Sequence, residues 1–498
     1  MSSILDLFEK TVEQYPNKVA FADETMAMTY EECCLFAQKA GIVIRDIVKD
    51  LEMCPIVLDL PKSVYVPALF LGVMYSGNFY TCIDKDMGDE RKKNISALLR
   101  PKLIITDGYK DCYSCTQIVL DDLLEIMNTI NCDNGCIKPR LIECDPAYVL
   151  FTSGSTGTPK GSVISHKAVI SYASWIVKTF GITSDTVFGN QTPFYFSMSV
   201  LDIYATIISG ATLDIIPKKL FSFPVKLLQY IDERNINTLY WVPSAYGIVS
   251  NWKALDYVLP KNLHTMLFAG EVMPTKYLIE WQKHIPNAMY ANLFGPTEIT
   301  DIALYYIVDK NYSIEESIPI GIVSEDMDAI VINEEGNVAQ DGEVGELYFR
   351  GSFVGYGYYN DPEKTREAFV QNPLNHNYPE IVYKTGDLVK KENGLYWYLG
   401  RKDFQIKHMG YRIELGEIEN AIIAHEKIQV AACVFDEYTD RIIAYYVGSI
   451  KDGELEKYLQ DYLPSYMRPT QYIKLHSMHY NSNGKIDRVA LKKIGELT

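Results

Sequence analysis

A short apolar run followed by a loop of hydroxyl, glycine and lysine residues is the stretch of this chain best suited to chemistry. Residues 149–151 predict a buried strand, and the loop that follows contains no acidic residue. Glycines let a backbone approach a ligand closely, while hydroxyls and a lysine cation can surround a phosphate chain. We therefore predict a phosphate-binding loop made of Thr152, Ser153, Gly154, Ser155, Thr156, Gly157 and Lys160.

This loop differs from the Walker A phosphate loop, which requires a glycine immediately before the lysine. Here Pro159 precedes Lys160 and Gly161 follows it. A lone stretch of glycine and serine would also fit a surface turn. The assignment to phosphate binding therefore depends on what the chain carries downstream.

Strands alternate with helices along the first part of the chain, a pattern that predicts a mainly parallel sheet. Ser244, the pair Gly270 and Glu271, and Thr297 each follow a predicted strand, and ligands bind at such strand ends in open α/β sheets. Thr297 can contact phosphate there, and the carboxylate of Glu298 is a hard oxygen ligand suited to Mg²⁺. Taken alone, this Gly-Pro-Thr-Glu string would be a turn with a helix cap. Beside the phosphate loop it predicts a nucleotide site.

Two positions further along the chain predict contacts to a ribose. Asp387 follows Gly386 in a predicted turn, and its carboxylate can accept hydrogen bonds from both ribose hydroxyls. Arg401 is a candidate for a second contact to ribose or phosphate. A solvated aspartate is the alternative for Asp387 taken by itself. Residues 318–351 alternate apolar and polar side chains with frequent glycine, which predicts a β-rich subdomain.

The composition shifts near Asp403 from glycine- and tyrosine-rich β structure to a shorter α+β segment. We therefore place a hinge at Asp403, between an N-terminal core of residues 1–402 and a C-terminal lid of residues 403–498. A polar loop near the end of the lid, residues 481–488, forms a shaped turn around Lys485. A lysine in a tail is usually only a solvated charge.

Composition limits the classes of partner. The chain has 498 residues, 48 % of them hydrophobic, and a net charge of −17, so it has no general attraction to nucleic acid or acidic membrane. The first fifteen residues are mixed and acidic, which predicts no secretory signal. The uncharged stretch at residues 64–83 contains proline and glycine and predicts a buried helix followed by a strand. The ten cysteines are then expected to be reduced thiols in a cytoplasmic protein.

One cysteine pattern approximates the spacing of a structural zinc site. It consists of Cys112, Cys115, Cys132 and Cys136. The second pair is one residue wider than the common form, and no histidine is near in sequence. A cysteine-rich peripheral loop is the favoured interpretation, and a metal assay on the purified protein distinguishes the two.

Together these strings resemble the adenylate-forming superfamily, which includes acyl-CoA synthetases, luciferases and the adenylation domains of peptide synthetases. The resemblance extends over nearly the full chain, in order. The strings AGEVMP and FQIKHMGYRIEL read like those of freestanding adenylation domains and of D-alanyl carrier protein ligases. The matching strings are TSGSTGTPKG, GPTE, YKTGD, GRKDFQIKHMGYRIELGEIE and NGKIDR.

The resemblance implies a fold and a two-step reaction. The expected fold is α/β, with a large N-terminal domain of mainly parallel sheets, a β-rich subdomain and a small mobile α+β C-terminal domain. In the first step a carboxylate attacks the α-phosphate of ATP, with Mg²⁺, and gives an acyl-adenylate and pyrophosphate. In the second step a thiol, usually the phosphopantetheine arm of a carrier protein, displaces AMP.

The resemblance also assigns roles to residues of the core. The phosphate-binding loop would hold the β- and γ-phosphates, and Thr297 the α-phosphate. Glu298 would hold the metal. The adenine would lie between Asn292 and the turn at Gly270 and Glu271, and the ribose against Asp387 and Arg401.

In the lid, the resemblance assigns three positions. Lys485 would bridge the substrate carboxylate and the ATP oxygens, so that it is catalytic together with Thr297 and Glu298. Rotation about Asp403 would then remove Lys485 and bring Gly410 to the tunnel that admits the thiol.

One departure from the family bears on the substrate. Amino-acid-activating members carry an aspartate in the string Phe-Asp-x-Ser, where it pairs with the α-ammonium group, but here the position is Ser197. A serine cannot neutralise a buried cation, and an unpaired buried ammonium is costly. The aligned pocket is mostly apolar with one carboxylate. Its lining would be Ser197, Met198, Leu201, Ser244, Leu267, Ala269, Leu293, Asp301 and Ile302.

Two kinds of substrate remain open. The acid can lack an α-amino group, as in a hydroxylated aryl acid whose hydroxyl meets Asp301 or Ser244, and we favour this slightly. It can instead be an amino acid with a displaced ammonium, such as a β-amino acid, that meets Asp301. A third arrangement has Asp301 pointing away from the pocket.

The acceptor also remains open. A carrier protein supplied in trans, in metabolism of the peptide-synthetase type, is the favoured acceptor, and coenzyme A is the alternative. The alternative to this function as a whole is a ligase that loads D-alanine or another amino acid onto a carrier protein. A nucleotide-binding protein without catalysis is disfavoured, since Lys485, Glu298 and Asp387 are all present.

Overall fold

The computed structural model describes residues 3–49, 51–131, 139–152, 159–402, 405–437, 439–450, 452–479 and 486–495. The strands in these ranges are β1 (Val19–Ala22), β2 (Ala27–Thr29), β3 (Pro55–Asp59), β4 (Phe79–Cys82), β5 (Leu103–Thr106), β6 (Thr116–Val119), β7 (Pro146–Thr152), β8 (Lys160–Ser165), β9 (Val187–Asn190), β10 (Thr212–Ile215), β11 (Thr238–Trp241), β12 (Thr265–Phe268), β13 (Met289–Phe294), β14 (Leu304–Ile307), β15 (Ile322–Val323), β16 (Met327–Ile332), β17 (Val344–Gly351), β18 (Phe369–Gln371), β19 (Ile381–Glu392), β20 (Leu395–Arg401), β21 (Gln405–His408), β22 (Tyr411–Glu414), β23 (Ile428–Asp436), β24 (Arg441–Gly448) and β25 (Gln471–Lys474).

The helices are α1 (Ile4–Gln14), α2 (Tyr30–Val48), α3 (Tyr65–Tyr75), α4 (Asp89–Leu99), α5 (Leu120–Asn128), α6 (His166–Thr179), α7 (Ser199–Ser209), α8 (Pro224–Glu233), α9 (Pro243–Asn251), α10 (Thr275–His284), α11 (Pro362–Ala368), α12 (Leu415–Ile423), α13 (Asp452–Leu459) and α14 (Arg488–Gly495). Short 3-10 helices cover Lys218–Ser222, Ala254–Asp256, Thr297–Ile299 and Ser465–Met467.

Two sheets form the body of the core. One has nine strands in the order β15-β14-β13-β12-β11-β9-β10-β1-β2, and the other has six in the order β6-β5-β3-β4-β7-β8. From β13 to β1 the neighbouring strands of the first sheet run parallel. Strands β11 and β12 are buried at every position, as expected for parallel strands covered by helices on both faces. The predicted α/β class is confirmed.

The uncharged stretch at residues 64–83 folds as α3 followed by β4, as predicted. Every residue of α3 after Tyr65 is buried, which explains why this helix is apolar on all sides. No helix within the described ranges is long and apolar enough to cross a membrane.

A separate antiparallel sheet follows the nine-stranded sheet in the chain. Its order is β16-β17-β19-β18, and β20 pairs with β19. The turn predicted at Gly386 and Asp387 is wrong, because both residues lie inside β19. Gly386 has a φ of +77°, a conformation that glycine adopts without strain, and the pairing of β19 with β17 shifts register near it. The local kink looks like a turn in the sequence, but the strand continues through it.

The lid has its own sheet and its own apolar cluster. Strands β23, β24 and β25 form one sheet, β21 and β22 form a hairpin, and α12 packs against β23. A separate cluster of buried side chains in the lid includes Ile413, Ile418 and Tyr446. The boundary at residues 402 and 403 stays a prediction, since Asp403 lies outside the described residues.

The lid contacts the core through a buried ion pair. Arg91 of α4 donates to the Glu417 carboxylate of α12, and the two side chains are 7 % and 2 % exposed. Two charges removed from water in this way depend on each other, because either one left alone would be a buried unpaired charge. The pair therefore favours the lid orientation seen here.

Candidate active site

The ends of three parallel strands meet at one edge of the nine-stranded sheet. Ser244 lies in the first turn of α9 after β11, Glu271 follows β12, and Asn292 lies on β13 beside Phe268 of β12. Glu271 accepts a hydrogen bond from the Ser244 backbone N–H at 2.9 Å. The side chain of Asn292 donates to the Pro319 carbonyl at 2.8 Å. The structure thus places Asn292 and Glu271, both predicted for the adenine site, on neighbouring strands, and it places Ser244, predicted for the acid pocket, beside Glu271.

Only the two ends of the predicted phosphate-binding loop lie in the described residues. Thr152 ends β7 and Lys160 begins β8, and the two are paired across the antiparallel ladder. The buried hydroxyl of Thr152 has no hydrogen-bond partner among the described residues. The central positions, Ser153, Gly154, Ser155, Thr156 and Gly157, lie outside the described residues.

Glu298 lies at the centre of a buried charged cluster. Its carboxylate is fully buried, accepts a hydrogen bond from the Tyr358 hydroxyl at 2.7 Å, and pairs with Arg412 of the lid at 2.8 Å. Lys160 lies 3.5 Å from Glu414 and 5.6 Å from the centre of the Tyr358 ring. Core and lid thus both contribute charges to the predicted phosphate site.

The pKa values in this cluster follow from burial and from the neighbouring charges. Burial acts to raise the pKa of Glu298, but Arg412 and Lys160 oppose it and hold that pKa below its ordinary value. The pKa of Lys160 is lowered, mainly by burial and to a smaller extent by the nearby Arg412 cation. The carboxylate is therefore ionised at neutral pH.

The donor chemistry at Glu298 fits Mg²⁺. An ionised carboxylate is the ligand that this cation prefers in proteins, and here the carboxylate stays ionised in spite of burial. In the present lid orientation, Arg412 supplies the positive charge beside this carboxylate. A metal ion and Arg412 would therefore compete for Glu298.

The two residues predicted to bind ribose contact each other. Asp387 and Arg401 are opposite each other on β19 and β20, and their side chains form an ion pair at 2.8 Å. The Lys407 ammonium lies close by, 4.4 Å from the centre of the Phe294 ring. Burial lowers the pKa of Lys407 to about 8, although Asp387 acts in the opposite direction. Ribose binding by Asp387 and Arg401 stays a prediction.

The hairpin of β21 and β22 brings Gly410, the residue predicted for the thiol tunnel, against the core. The Gly410 backbone N–H at its tip donates to the Glu271 carboxylate. A Cβ atom added at Gly270 would lie 3.1 Å from the Met198 sulfur and 3.5 Å from the Gly410 carbonyl oxygen. Gly410 therefore lies at the contact between the predicted adenine site and the predicted acid pocket.

A cavity of about 940 Å³ lies between core and lid next to these residues. Its walls include Ser244, Glu271, Arg401 and Lys407. The lid sheet closes the other side, through Phe435 among others. Two of the predicted nucleotide contacts, Glu271 and Arg401, thus face the same cavity.

The predicted acid pocket is buried and mostly apolar. The Thr297 hydroxyl donates to the Ser197 hydroxyl at 2.9 Å, which joins the predicted phosphate contact to this pocket. Its six apolar members are at most 3 % exposed: Met198, Leu201, Leu267, Ala269, Leu293 and Ile302.

Asp301 is the buried carboxylate of this region. Its Oδ2 atom accepts hydrogen bonds from the hydroxyls of Tyr172 at 2.8 Å and Tyr240 at 2.9 Å, and the side chain is 2 % exposed. Burial raises the pKa of Asp301 to about 8, against the effect of the two tyrosines and of Ser197. The interaction with Ser197 places Asp301 directly behind the position where the family carries its aspartate.

The raised pKa of Asp301 predicts a pH-dependent stability difference. Between about pH 4 and 8 the native state keeps a proton that the unfolded state releases, so this group lowers the free energy of unfolding as pH rises. Asp301→Asn stays neutral and should gain roughly 3–4 kcal/mol relative to the wild type between pH 5 and 8. Urea unfolding at several pH values measures this. A stability difference that does not change with pH would contradict it.

Several residues of the site were not predicted from the sequence. Tyr358, Arg412 and Glu414 surround Glu298 and Lys160, while Tyr172 and Tyr240 hold Asp301. The only available signal was weak: Arg412 and Glu414 lie in a string that matches the family, but their partners are more than 100 positions away.

Three further predictions remain open. Lys485, Asp403 and two of the four cysteines of the possible zinc site lie outside the described residues. Among the described residues, Cys112 is buried and Cys115 half-buried, both as free thiols, and no cysteine belongs to a group that could hold a metal ion.

Comparison with known proteins identifies the family. Residues 8–359 match the model of the AMP-binding enzyme family. The D-alanine–D-alanyl carrier protein ligase of Bacillus cereus (strain G9842) is 30 % identical over 502 residues, which cover 98 % of both chains.

Solved structures share the fold at lower identity. An artificially fused adenylation-PCP di-domain, NpsA-ThdA from Klebsiella oxytoca, has a TM-score of 0.84 at 21 % identity and covers 99 % of this chain and 97 % of its own. Klebsiella oxytoca NpsA in complex with 3-hydroxyanthranilyl-AMSN has a TM-score of 0.71 at 20 % identity over the full length of both chains. The chain therefore belongs to the AMP-binding enzyme family of the adenylate-forming superfamily, and it is an AMP-forming ligase that activates acids.

Proposed function

We propose that this enzyme activates a small carboxylic acid without an ordinary α-amino group and transfers the acyl group to the phosphopantetheine thiol of a carrier protein. The observation that carries the proposal is the hydrogen bond from Thr297 to Ser197, because it joins the predicted α-phosphate contact to a buried acid pocket. An acid in that pocket would have its carboxylate next to the phosphate that it attacks.

The proposed first step forms one bond and breaks one. A carboxylate oxygen of the acid attacks the α-phosphorus of ATP, and pyrophosphate leaves. Thr297 orients the α-phosphate, Lys160 neutralises the departing phosphates, and Lys485 bridges the carboxylate and ATP oxygens. Mg²⁺, held by Glu298, supplies further positive charge when bound.

In the proposed second step the carrier thiol attacks the carbonyl carbon of the acyl-adenylate, and AMP leaves with the bridging oxygen. The thiol proton is released to solvent. The position of Gly410 beside Gly270 and Met198 fits this step, because the hairpin of the lid then borders the acid pocket. The lid orientation seen here supports an assignment to thiol transfer rather than to adenylate formation.

The charge distribution in the pocket supports an acid without an α-ammonium. Serine at position 197 removes the usual counter-charge, and the raised pKa of Asp301 keeps its carboxyl group neutral at pH 7 while no ligand is bound. A neutral pocket with a hydrogen-bonding group at its end favours a hydroxylated aryl acid. A β-amino acid is the second candidate, because its ammonium would lower the pKa of Asp301 and pair with it.

A panel of acids in the ATP–pyrophosphate exchange assay tests the substrate class. Hydroxylated benzoic acids should give the fastest exchange, β-alanine and other β-amino acids slower exchange, and D- or L-alanine the least. Asp301→Leu should remove the preference for a hydroxyl or an amino group. Robust exchange with D- or L-alanine alone would contradict both proposed substrate classes, and would favour the D-alanine ligase activity for which the Bacillus relative is named.

The acceptor is tested separately. Enzyme, ATP and an acid that is active in exchange are incubated either with a holo-carrier protein or with coenzyme A. Mass spectrometry then measures the acyl group on each thiol. We expect loading of the carrier protein, since the relative is a carrier protein ligase and a fused carrier domain accompanies one of the similar folds. Acylation of coenzyme A alone would assign the enzyme to the CoA ligases.

A further inference from the structure

The acid pocket depends on one loop that connects β9 to α7. We call residues 191–198 the pocket loop. It carries Ser197 and Met198 into the pocket and has no regular secondary structure. A loop of this kind keeps a fixed shape only if neighbouring groups hold its backbone.

A lysine from the other sheet holds the start of this loop. Lys62 follows β3 of the six-stranded sheet, and its ammonium donates to the backbone carbonyls of Asn190 at 3.3 Å and Gln191 at 3.1 Å. The same ammonium lies 5.2 Å from the centre of the Phe194 ring. Lys62 therefore contacts three positions at or inside the beginning of the loop.

The counter-charge of Lys62 lies on the helix that follows the loop. Asp202 of α7 is 1 % exposed, and its carboxylate accepts a hydrogen bond from the Asn190 side-chain amide at 2.6 Å. Burial lowers the pKa of Lys62 to about 7, and the nearby Asp202 carboxylate acts in the opposite direction and favours the protonated lysine. The lysine, Asn190 and Asp202 thus connect both ends of the pocket loop to the second sheet.

The far end of the loop meets the reacting groups. Ser197 accepts the hydrogen bond from Thr297, and the Tyr195 hydroxyl lies 3.2 Å from the Tyr411 hydroxyl of the lid. A shift of the loop would therefore move the walls of the acid pocket. It would not move Lys160 or Glu298, the side chains predicted to contact the phosphates and the metal, because they lie on other elements.

We propose that Lys62 is a positioning residue for the acid substrate: its contacts with the pocket loop, supported by Asp202, set the affinity for the acid and not the affinity for ATP. This inference rests on the proposed function for its kinetic test. It adds a specificity-determining contact that lies behind the pocket and does not touch the substrate.

The kinetic test compares Lys62→Met and Lys62→Arg with the wild type, using the most active acid of the panel. Lys62→Met should raise the KM for the acid about tenfold and leave the KM for ATP within about twofold, since small displacements of positioning groups have effects of this order or larger. Lys62→Arg keeps the charge and the donors and should restore most of the affinity. The exposed Lys178, which pairs with Glu325 at the surface, gives the control Lys178→Met.

Asp202→Asn is the second variant, in case Lys62→Met does not fold. It keeps an acceptor for Asn190, removes the counter-charge, and should raise the KM for the acid in the same direction. An unchanged KM for the acid, or an equal rise in both KM values, would overturn the proposal.

Hydrogen–deuterium exchange gives a readout that needs no substrate. Peptides that cover residues 190–199 should exchange faster in Lys62→Met than in the wild type, and close to the wild-type rate in Lys62→Arg. This holds even if no acid of the panel is active, so a failure of the proposed function is distinguishable from a failure of this inference. Unchanged exchange in the pocket loop of Lys62→Met would contradict the positioning role.

Discussion

Lys485→Ala is expected to lower the rate of adenylate formation by about three orders of magnitude, with the fold intact. In the proposed mechanism this lysine bridges the attacking carboxylate and the ATP oxygens, where negative charge increases in the transition state. Removing one such group from a water-excluded site has effects of roughly 10²- to 10³-fold. The affinity for ATP should change much less, because the phosphate-binding loop remains.

The measurement is ATP–pyrophosphate exchange with saturating acid, with Lys474→Ala of the exposed lid surface as the control. Thiol transfer from chemically prepared acyl-adenylate should continue at close to the wild-type rate, because the proposed role of Lys485 is in adenylate formation and not in thiol transfer. Unchanged exchange in Lys485→Ala would overturn the assignment of this lysine and weaken the proposed enzyme mechanism.

Arg412→Met is expected to have the opposite pattern and to slow thiol transfer by about 100-fold. Arg412 pairs with the fully buried Glu298 only when the lid lies as it does here. Leaving one buried charge without its partner costs about 3–5 kcal/mol, which disfavours this lid orientation by that amount. Adenylate formation should be affected less, since another lid orientation is assigned to it.

Single-turnover kinetics separate the two steps for Arg412→Met. Arg441→Met, at an exposed position of the lid, is the matched control. Limited proteolysis gives a second readout, since the lid of the variant should be cleaved faster if this orientation is destabilised. A variant that loses both steps equally, or loses only adenylate formation, would contradict the role assigned to the pair of Arg412 and Glu298.

The sequence was sufficient to place residues that lie near or just after strand ends. Ser244, Glu271 and Asn292 could be located because apolar runs of fixed length identify parallel strands, and the carboxyl ends of such strands share one edge of the sheet. The same reasoning was wrong at Asp387. A glycine with positive φ is typical of turns, but here it accommodates a kink inside β19.

Residues that act through distant partners could not be predicted in this way. Tyr172 and Asp301 are 129 positions apart, and Arg412 and Glu298 are 114 positions apart. A single tyrosine or arginine leaves no periodic pattern, and its partner is fixed only when the helices and the lid pack. Lys62 is the extreme case, because it acts on backbone carbonyls that any sequence provides.

An isotope tests directly whether a carboxylate oxygen of the substrate attacks the α-phosphate and whether a thiol then displaces AMP from the acyl group. The acid is labelled with ¹⁸O in both carboxylate oxygens and incubated with enzyme, ATP, Mg²⁺ and holo-carrier protein. The bridging oxygen of the acyl-adenylate comes from the acid and leaves with AMP, so we expect one AMP molecule that carries a single ¹⁸O atom for each acyl group transferred. Unlabelled AMP, or ADP and phosphate in place of AMP and pyrophosphate, would contradict it.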